Sequence, residues 1–482
     1  MLNDNKAYAA ATAFGDLNAL TIFAAYAKIA IDFMKKRKLH LSVWQFLAIG
    51  YLIVILAGSV LLVLPFATVE GEHTSYIGAL FTATSATCVT GLTPYATGTH
   101  WTLYGQIVIL LLIQLGGLGF MTIVSSLIML FGGGMGIGSR RALMTSAGGN
   151  KLFGLKSLVR SILIGSAIFE FLGAVLLSVQ FVPDFGWMRG IYYAVFHSVS
   201  AFCNAGFDLM ATIGSSSLQS YATNPLVSLT ICGLIILGGL GFCVWGDVLK
   251  CRFRFSKFQL NTKVILVTTL LLLFLPTLMF LGFEWKNPSY AGYNFWEKLL
   301  VSFFSATTPR TAGFFTTDPS TLSDSGYLLT VILMFIGGSS GSTAGGLKVG
   351  TFAVIVMGMV GVFRGHRDIN IGKKRIEYSL LSQALAILMA CLMFVMTATL
   401  AICAIEPAGV ANFQTVLYEC VSAMGTVGLS MALTPSLSIF SFVILIILMY
   451  AGRVGILTLA LALAKRRKTP DIRYPVDTLL IG

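Results

Sequence analysis

Apolar residues run through this chain in stretches of roughly 20 or more, each long enough to cross a hydrocarbon core of about 30 Å as a helix. Between successive pairs of such stretches lies a short amphipathic run, at 74–86, 189–201, 294–306 and 411–423, and each run leads into a glycine-containing turn. A helix of about 13 residues rises only about 20 Å, too little to cross. The unit of apolar span, short helix, glycine turn and apolar span therefore occurs four times. It predicts an all-α membrane protein with four M1-P-M2 pore repeats, eight spanning helices plus four re-entrant pore helices, in a pseudo-fourfold arrangement. The repeats are placed at 44–139, 140–254, 255–370 (with a broken M2 helix) and 371–468. A cytoplasmic or interfacial segment at 1–43 precedes them, and a cytoplasmic tail at 469–482 follows.

The turns read Thr87-Cys88-Val89-Thr90-Gly91, Phe202-Cys203-Asn204-Ala205-Gly206, Pro309-Arg310-Thr311-Ala312-Gly313 and Gly425-Thr426-Val427-Gly428. Their last glycines recur 107 to 115 residues apart, and Leu92, Phe207, Phe314 and Leu429 follow them. The second spans repeat as well: Leu115-Gly116-Gly117-Leu118-Gly119-Phe120 returns as Leu237-Gly238-Gly239-Leu240-Gly241-Phe242. Weaker counterparts are Ile336-Gly337-Gly338-Ser339 and Tyr450-Ala451-Gly452-Arg453. Such glycine pairs suit close helix packing in lipid, and their recurrence supports the repeat.

Composition narrows the class. A mean hydropathy of +0.86 with 11% charged residues excludes an ordinary soluble protein. The net charge of +13 raises nucleic acid as a partner until the basic residues are located. Of the 32, twenty-six fall at position 6 and in clusters at 28–38, 140–160, 250–263, 364–375 and 465–473. By the positive-inside rule these face the cytoplasm, so both termini are cytoplasmic and the number of crossings is even. Membrane lipid is the expected contact, and nucleic acid is not. A helix at 7–34 carrying Asp16, Lys28 and Asp32 is expected to lie at the interface. No cleavable signal peptide is expected, because the first basic cluster follows the early Ala-rich stretch.

Eight scattered cysteines, without a CxxC pair, indicate neither a disulfide framework nor zinc. His40, His73, His100, His197 and His366 form no metal-spaced pair, and no enzyme is expected. Gly345-Gly346-Leu347-Lys348 lacks the ending of a phosphate-binding loop, and the glycine run at 132–136 follows no strand. No cofactor is expected in this chain.

A repeated re-entrant unit of this kind suits a cation pore. A potassium ion leaves water only if rings of oxygens replace its hydration shell, which backbone carbonyls can supply. Half-helices pointing at one axis bring their negative C-terminal ends towards the ion. Glycine permits the backbone angles that turn carbonyls inward, and irregular backbone at this depth needs protein or a wet cavity around it. The selectivity filter is accordingly assigned to Thr87, Cys88, Val89, Thr90, Gly91, Cys203, Asn204, Ala205, Gly206, Thr311, Ala312, Gly313, Thr426, Val427 and Gly428, with K+ at their carbonyls.

On Thr90-Gly91-Leu92, Asn204-Ala205-Gly206-Phe207, Thr308-Pro309-Arg310-Thr311-Ala312-Gly313-Phe314 and Thr426-Val427-Gly428-Leu429-Ser430, the chain resembles the Trk/Ktr/HKT superfamily of potassium transporters. It is most similar to the Ktr-type membrane (KtrB) subunits, over about 42–470. The resemblance implies potassium uptake across a plasma membrane (bacterial inner membrane), stimulated by sodium, by a homodimer with one pore per subunit. It also implies a cytosolic RCK-type, KtrA-like regulatory ring, with nucleotide bound only on that partner. The alternative is an ion-coupled cation symporter, which would usually show two inverted halves.

The third second-span, about 326–363, would be about 57 Å long as one helix. Its middle, Gly337-Gly338-Ser339-Ser340-Gly341-Ser342-Thr343-Ala344-Gly345-Gly346, holds five glycines and four hydroxyl residues, so a helix there is not expected. The segment is assigned as a gate in the wet cavity below the filter, with a passive kink as the alternative. Arg453, an arginine inside a span, is assigned to the same gate, as a barrier to cations or as an anchor on the broken helix. Alignment puts it opposite Leu118, Leu240 and Ser339. Arg310 is expected behind the filter, supporting it by pairing with Glu419 or Glu297. Asp208 is placed at the outer mouth, as a cation-attracting group or a solvated loop residue.

Overall fold

A helix satisfies its own backbone groups, so an apolar chain in lipid is driven to helix. The computed structural model describes residues 42–119, 122, 155–365, 369–371, 374–407 and 409–463. The expected interfacial helix at 7–34, the tail at 469–482, the basic clusters at 28–38 and 465–473 and the glycine run at 132–136 lie outside them, as does most of the cluster at 140–160.

Helix dominates. The first group is α1 (Val43–Val63), α2 (Tyr76–Cys88) and α3 (Leu103–Leu118). The second is α4 (Leu155–Phe185), α5 (Trp187–Phe202), α6 (Pro225–Leu240) and α7 (Phe242–Lys250). The third is α8 (Leu260–Phe283), α9 (Phe295–Thr307), α10 (Asp324–Phe335) and α11 (Val349–Phe363). A small antiparallel pair, Ile369–Ile371 with Lys374–Ile376, leads to α12 (Tyr378–Ile405), α13 (Phe413–Gly425), α14 (Ile439–Val454) and α15 (Ile456–Leu463).

Among the described residues, α1, α4, α8 and α12 are each long and apolar enough to cross a membrane, and two bent pairs could each count as a further span. The protein is multi-pass. These four long helices present large apolar side chains outward, such as Phe171, Leu270 and Leu400. The short helices are the buried ones, with Phe81, Phe196, Phe202, Phe304 and Tyr418 fully enclosed.

The short helices begin where side chains satisfy their first amides. Ser75 Oγ accepts from the Gly78 amide, and Asn294 with Glu297 and Asn412 with Thr415 form reciprocal capping boxes. These caps start α2, α9 and α13 one or two residues later than the amphipathic pattern suggests.

Each short helix packs on the two neighbours of its own group and on one helix from another: α2 on α14, α5 on α3, α9 on α6 and α13 on α10. The sequence of contacts runs round through all four groups and returns to the first.

The second spans differ from expectation. Rather than eight uninterrupted spans with one break, α3, α6 and α14 are 16-residue helices, about 24 Å each, that stop at a glycine of positive φ. These are Gly119 (φ +85°), Gly241 (φ +95°) and Gly455 (φ +88°). Beyond Gly241 and Gly455 the chain turns by 91° and 94° into α7 and α15. Glycine at these positions ends the helix because only a residue without Cβ takes that backbone freely. The third group breaks over 336–348 instead.

Candidate functional site

The last carbonyls of a helix have no partner within it, and at the ends of α2, α5, α9 and α13 the chain leaves in the same way. Val89 (φ +58°), Asn204 (φ +61°), Thr311 (φ +67°) and Thr426 (φ +51°) are left-handed, each two residues before the turn glycine. Gly91 (φ +100°), Gly206 (φ +72°), Gly313 (φ +79°) and Gly428 (φ +92°) complete the pattern, while Thr90, Ala205, Ala312 and Val427 between them are not left-handed. Left-handed non-glycine residues, above all a β-branched valine or threonine, are rare and persist where surrounding structure holds them. Apart from Asn204, a residue type that favours this region, their residue types offered no sign of this.

The four turns meet. A methyl group placed on Gly91 would lie 2.6 Å from the Ala205 carbonyl oxygen and 3.2 Å from the Cα atoms of Gly206 and Gly428. On Gly206 it would lie 2.8 Å from the Ala312 oxygen, and on Gly313 2.7 Å from the Val427 oxygen. On Gly428 it would strike the Thr90 oxygen. Each glycine thus faces the carbonyl preceding the next glycine, and the fourth returns to the first: a closed ring of four.

Hydroxyls on the short helices, or just past their ends, brace the turns. Ser85 Oγ accepts from the Gly91 amide at 3.0 Å, and Ser422 Oγ from the Gly428 amide at 3.1 Å. Ser200 Oγ donates to the Phe207 carbonyl at 2.7 Å, and Thr308 Oγ1 donates to the Phe314 carbonyl. Sequence reasoning passed over the three serines. The signal was present: Ser85, Ser200 and Ser422 each stand six residues before a turn glycine.

The glycine pairs of the second spans make room for this geometry. A methyl on Gly116, Gly238 or Gly452 would strike the carbonyl oxygen of Thr87, Phe202 or Met424, four residues before the respective turn glycine. The same position would lie 2.8 Å from Val89 Cγ2, 2.9 Å from Asn204 Oδ1 and 3.0 Å from Thr426 Cγ2; on Gly337 it would lie 3.3 Å from Thr311 Cγ2. The first glycine of each pair therefore seats the side chain of the left-handed residue. This register corrects the alignment of Arg453. Gly452 is the equivalent of Gly116 and Gly238, so Arg453 replaces the second glycine, Gly117 and Gly239, rather than the leucine after it.

Arg453 donates from Nη1 to the Thr343 carbonyl and from Nη2 to the Gly116 carbonyl, and also reaches the Gly117 oxygen at 3.4 Å. It ties the 336–348 segment to α3. That segment has its ends pinned together, the Gly337 amide donating to Leu347 O at 2.9 Å and the Val349 amide to Gly338 O at 3.0 Å. Its middle is held by the second group: the Ser339 amide donates to Gly239 O at 2.9 Å, and Gly341 O accepts from the Phe242 amide at 2.9 Å. Lys348 Nζ donates to Ala344 O at 2.8 Å. Gly345 and Gly346 lie against Thr426 and the Gly425 carbonyl. The segment therefore sits directly against the glycine turns.

Arg310 is buried behind its turn, but its expected ion pair is not formed. Its guanidinium donates to the carbonyl and hydroxyl of Thr269 on α8, at 3.3 and 3.4 Å. Glu297 is engaged in the capping box at the N-terminus of α9, about 15 Å along the helix from the C-terminal end that leads to Arg310. Glu419 accepts from Ser430 Oγ at 3.2 Å and from Thr434, bracing the loop after the fourth turn. Asp208 Oδ1 accepts from the Met210 amide at 2.9 Å, so it is a loop-bonded residue rather than a free one.

The family described as "TrkH: Cation transport protein" matches residues 45–472. The chain is 40% identical to "Potassium/sodium uptake protein NtpJ" of Enterococcus hirae, over 93% of this chain and 99% of that one. It is also 40% identical to "Ktr system potassium uptake protein B" of Bacillus subtilis, over 91% and 96% of the two chains. Its fold is similar to that of the potassium transporter TrkH from Vibrio parahaemolyticus, with a TM-score of 0.68 at 17% identity over 89% and 86% of the two chains.

Proposed function

The chain belongs to the TrkH family of cation transport proteins, and from that premise we propose that it carries potassium into the cell through a single gated pore. The four groups of helices are four M1-P-M2 repeats around one axis. The turns at Thr87 to Gly91, Cys203 to Gly206, Thr311 to Gly313 and Thr426 to Gly428 form the selectivity filter. The observation that carries this reading is the closed ring, in which every turn glycine lies against a carbonyl of the next turn. Left-handed residues alternating with residues that are not left-handed let successive carbonyls share one side of the strand, as a dehydrated cation needs. The C-terminal ends of four short helices add negative potential at the same place.

The segment at 337–346 is the gate and Arg453 its latch. A cation held by the Thr343 and Gly116 carbonyls both blocks the route electrostatically and keeps the segment under the filter. Arg310 supports the filter through Thr269.

The name of the Enterococcus hirae relative, which includes sodium, supports sodium as a stimulating ion, and "Ktr system" supports a regulatory partner. The proposed assembly is a homodimer on a cytosolic RCK-type ring that carries the nucleotide. Both termini are cytoplasmic, in a bacterial inner membrane. Expression in a strain lacking its own potassium uptake tests the reading: growth at low potassium, strengthened by sodium and by the cytosolic partner, is expected. Absence of potassium uptake with the protein present in the membrane, or uptake strictly coupled to a second ion, would overturn it.

A further inference from the structure

Thr343 lies in the gate segment and is fully buried, as is Asn204 in the second filter turn. Thr343 Oγ1 donates to Asn204 Oδ1 at 3.1 Å. The other end of the Asn204 amide donates to the Arg310 carbonyl at 3.1 Å and to Thr311 Oγ1 at 3.4 Å, both in the third filter turn. Asn204 itself is left-handed, a conformation that asparagine adopts more readily than most residues with a side chain. The backbone of Thr343 completes the junction: its amide donates to Gly238 O at 3.3 Å and its carbonyl accepts from Arg453.

We infer that the Thr343 hydroxyl couples the gate to the filter, making Thr343 a positioning residue for ion selection as well as a part of the gate. While the segment is docked, Asn204 has partners on both sides and holds the second and third turns in register. When the segment leaves, Thr343 Oγ1 leaves with it, and a buried amide oxygen at the filter loses its donor. The open pore then has a looser second turn than the closed one. Position two before the glycine is Val in the first turn and Thr in the third and fourth, so the amide that makes this junction belongs to the second turn alone. This inference rests on the filter and gate assignments above.

The test is potassium uptake at graded sodium concentrations, and reversal potentials in mixed potassium and sodium, for Thr343→Val, Thr343→Ser, Arg453→Gln and Gly91→Ser. Thr343→Val removes the hydroxyl at nearly constant shape, and Thr343→Ala serves if valine prevents accumulation. The expected result is increased flux together with a potassium-over-sodium preference lower by roughly two- to tenfold, the worth of one neutral buried hydrogen bond. Thr343→Ser restores both. Arg453→Gln, which frees the segment from its other side, lowers the preference as well, and the double variant with Thr343→Val lowers it no further. An unchanged preference in Thr343→Val, whether or not its flux rises, overturns the coupling provided Gly91→Ser shows a changed preference in the same assay. If Gly91→Ser also leaves the preference unchanged, the filter assignment itself falls.

Discussion

Gly91→Ser tests the carbonyl ring most directly. Gly91 has φ +100°, and a Cβ there would lie 2.6 Å from the Ala205 oxygen, where ordinary contact begins at 3.4 Å. The serine must therefore leave its backbone geometry, or the neighbouring carbonyl must retreat by about 0.8 Å, a shift felt throughout a closed ring. Holding a non-glycine residue in such a conformation costs roughly 1–3 kcal/mol. If that energy is drawn from potassium coordination, the preference over sodium falls by about five- to 150-fold, since about 1.4 kcal/mol is tenfold. The assay is the reversal potential in mixed potassium and sodium, alongside sodium competition in whole-cell uptake. Gly71→Ser is the control: Gly71 has a similar φ of +89° but nothing within 4 Å of the added atom. It should show the backbone cost without the change in preference. A Gly91→Ser protein with wild-type preference, or an equal loss in Gly71→Ser, would refute the reasoning.

Four further outcomes follow from the same geometry. Arg453→Gln loses the charge and one of two tethers, so potassium flux should rise about tenfold or more; unchanged flux in a well-folded variant would reject the latch. Ser85→Ala leaves the Gly91 amide without its acceptor and should cost about 1–3 kcal/mol of stability, seen as a lower melting temperature in detergent, with a reduced potassium preference. Thr269→Val deprives the buried Arg310 of a hydroxyl acceptor and should destabilise by a similar amount of about 1–3 kcal/mol; an unchanged melting temperature would show that Arg310 is held by other means. Because each turn carries one filter glycine, the wild-type pore should discriminate against sodium less than a filter built on TVGYG strands, and channel-grade rejection in reversal-potential measurements would count against a shorter filter.

Much of the candidate site is legible in the sequence. The evenly spaced glycines marked the turns because a Cβ at any of these four positive-φ positions would run into the carbonyl of the next turn. The polar, glycine-rich 337–346 run announced a break because no such run holds a helix in lipid. The partners of the charged residues were less legible. Arg310 was expected to find a carboxylate and instead rests on Thr269, because a side chain behind a turn reaches whatever the adjacent long helix presents, and spacing along the chain does not encode that. The register of Arg453 slipped by one residue for a related reason: the pairs Gly116-Gly117 and Ala451-Gly452 look equivalent as letters. Only the contact of Gly452 with the Met424 carbonyl shows which glycine seats the turn.

Residue order alone determined that the chain is a mostly helical, lipid-embedded protein and marked its four glycine turns, because hydrophobic length, charge placement and glycine spacing are local properties that a bilayer reads directly. The tertiary structure decided what those turns touch. The left-handed Val89, Asn204, Thr311 and Thr426 and the Thr343 to Asn204 bond exist only where segments distant in the sequence press on one another. No single stretch of sequence carries the steric and hydrogen-bonding constraints that arise from that closure.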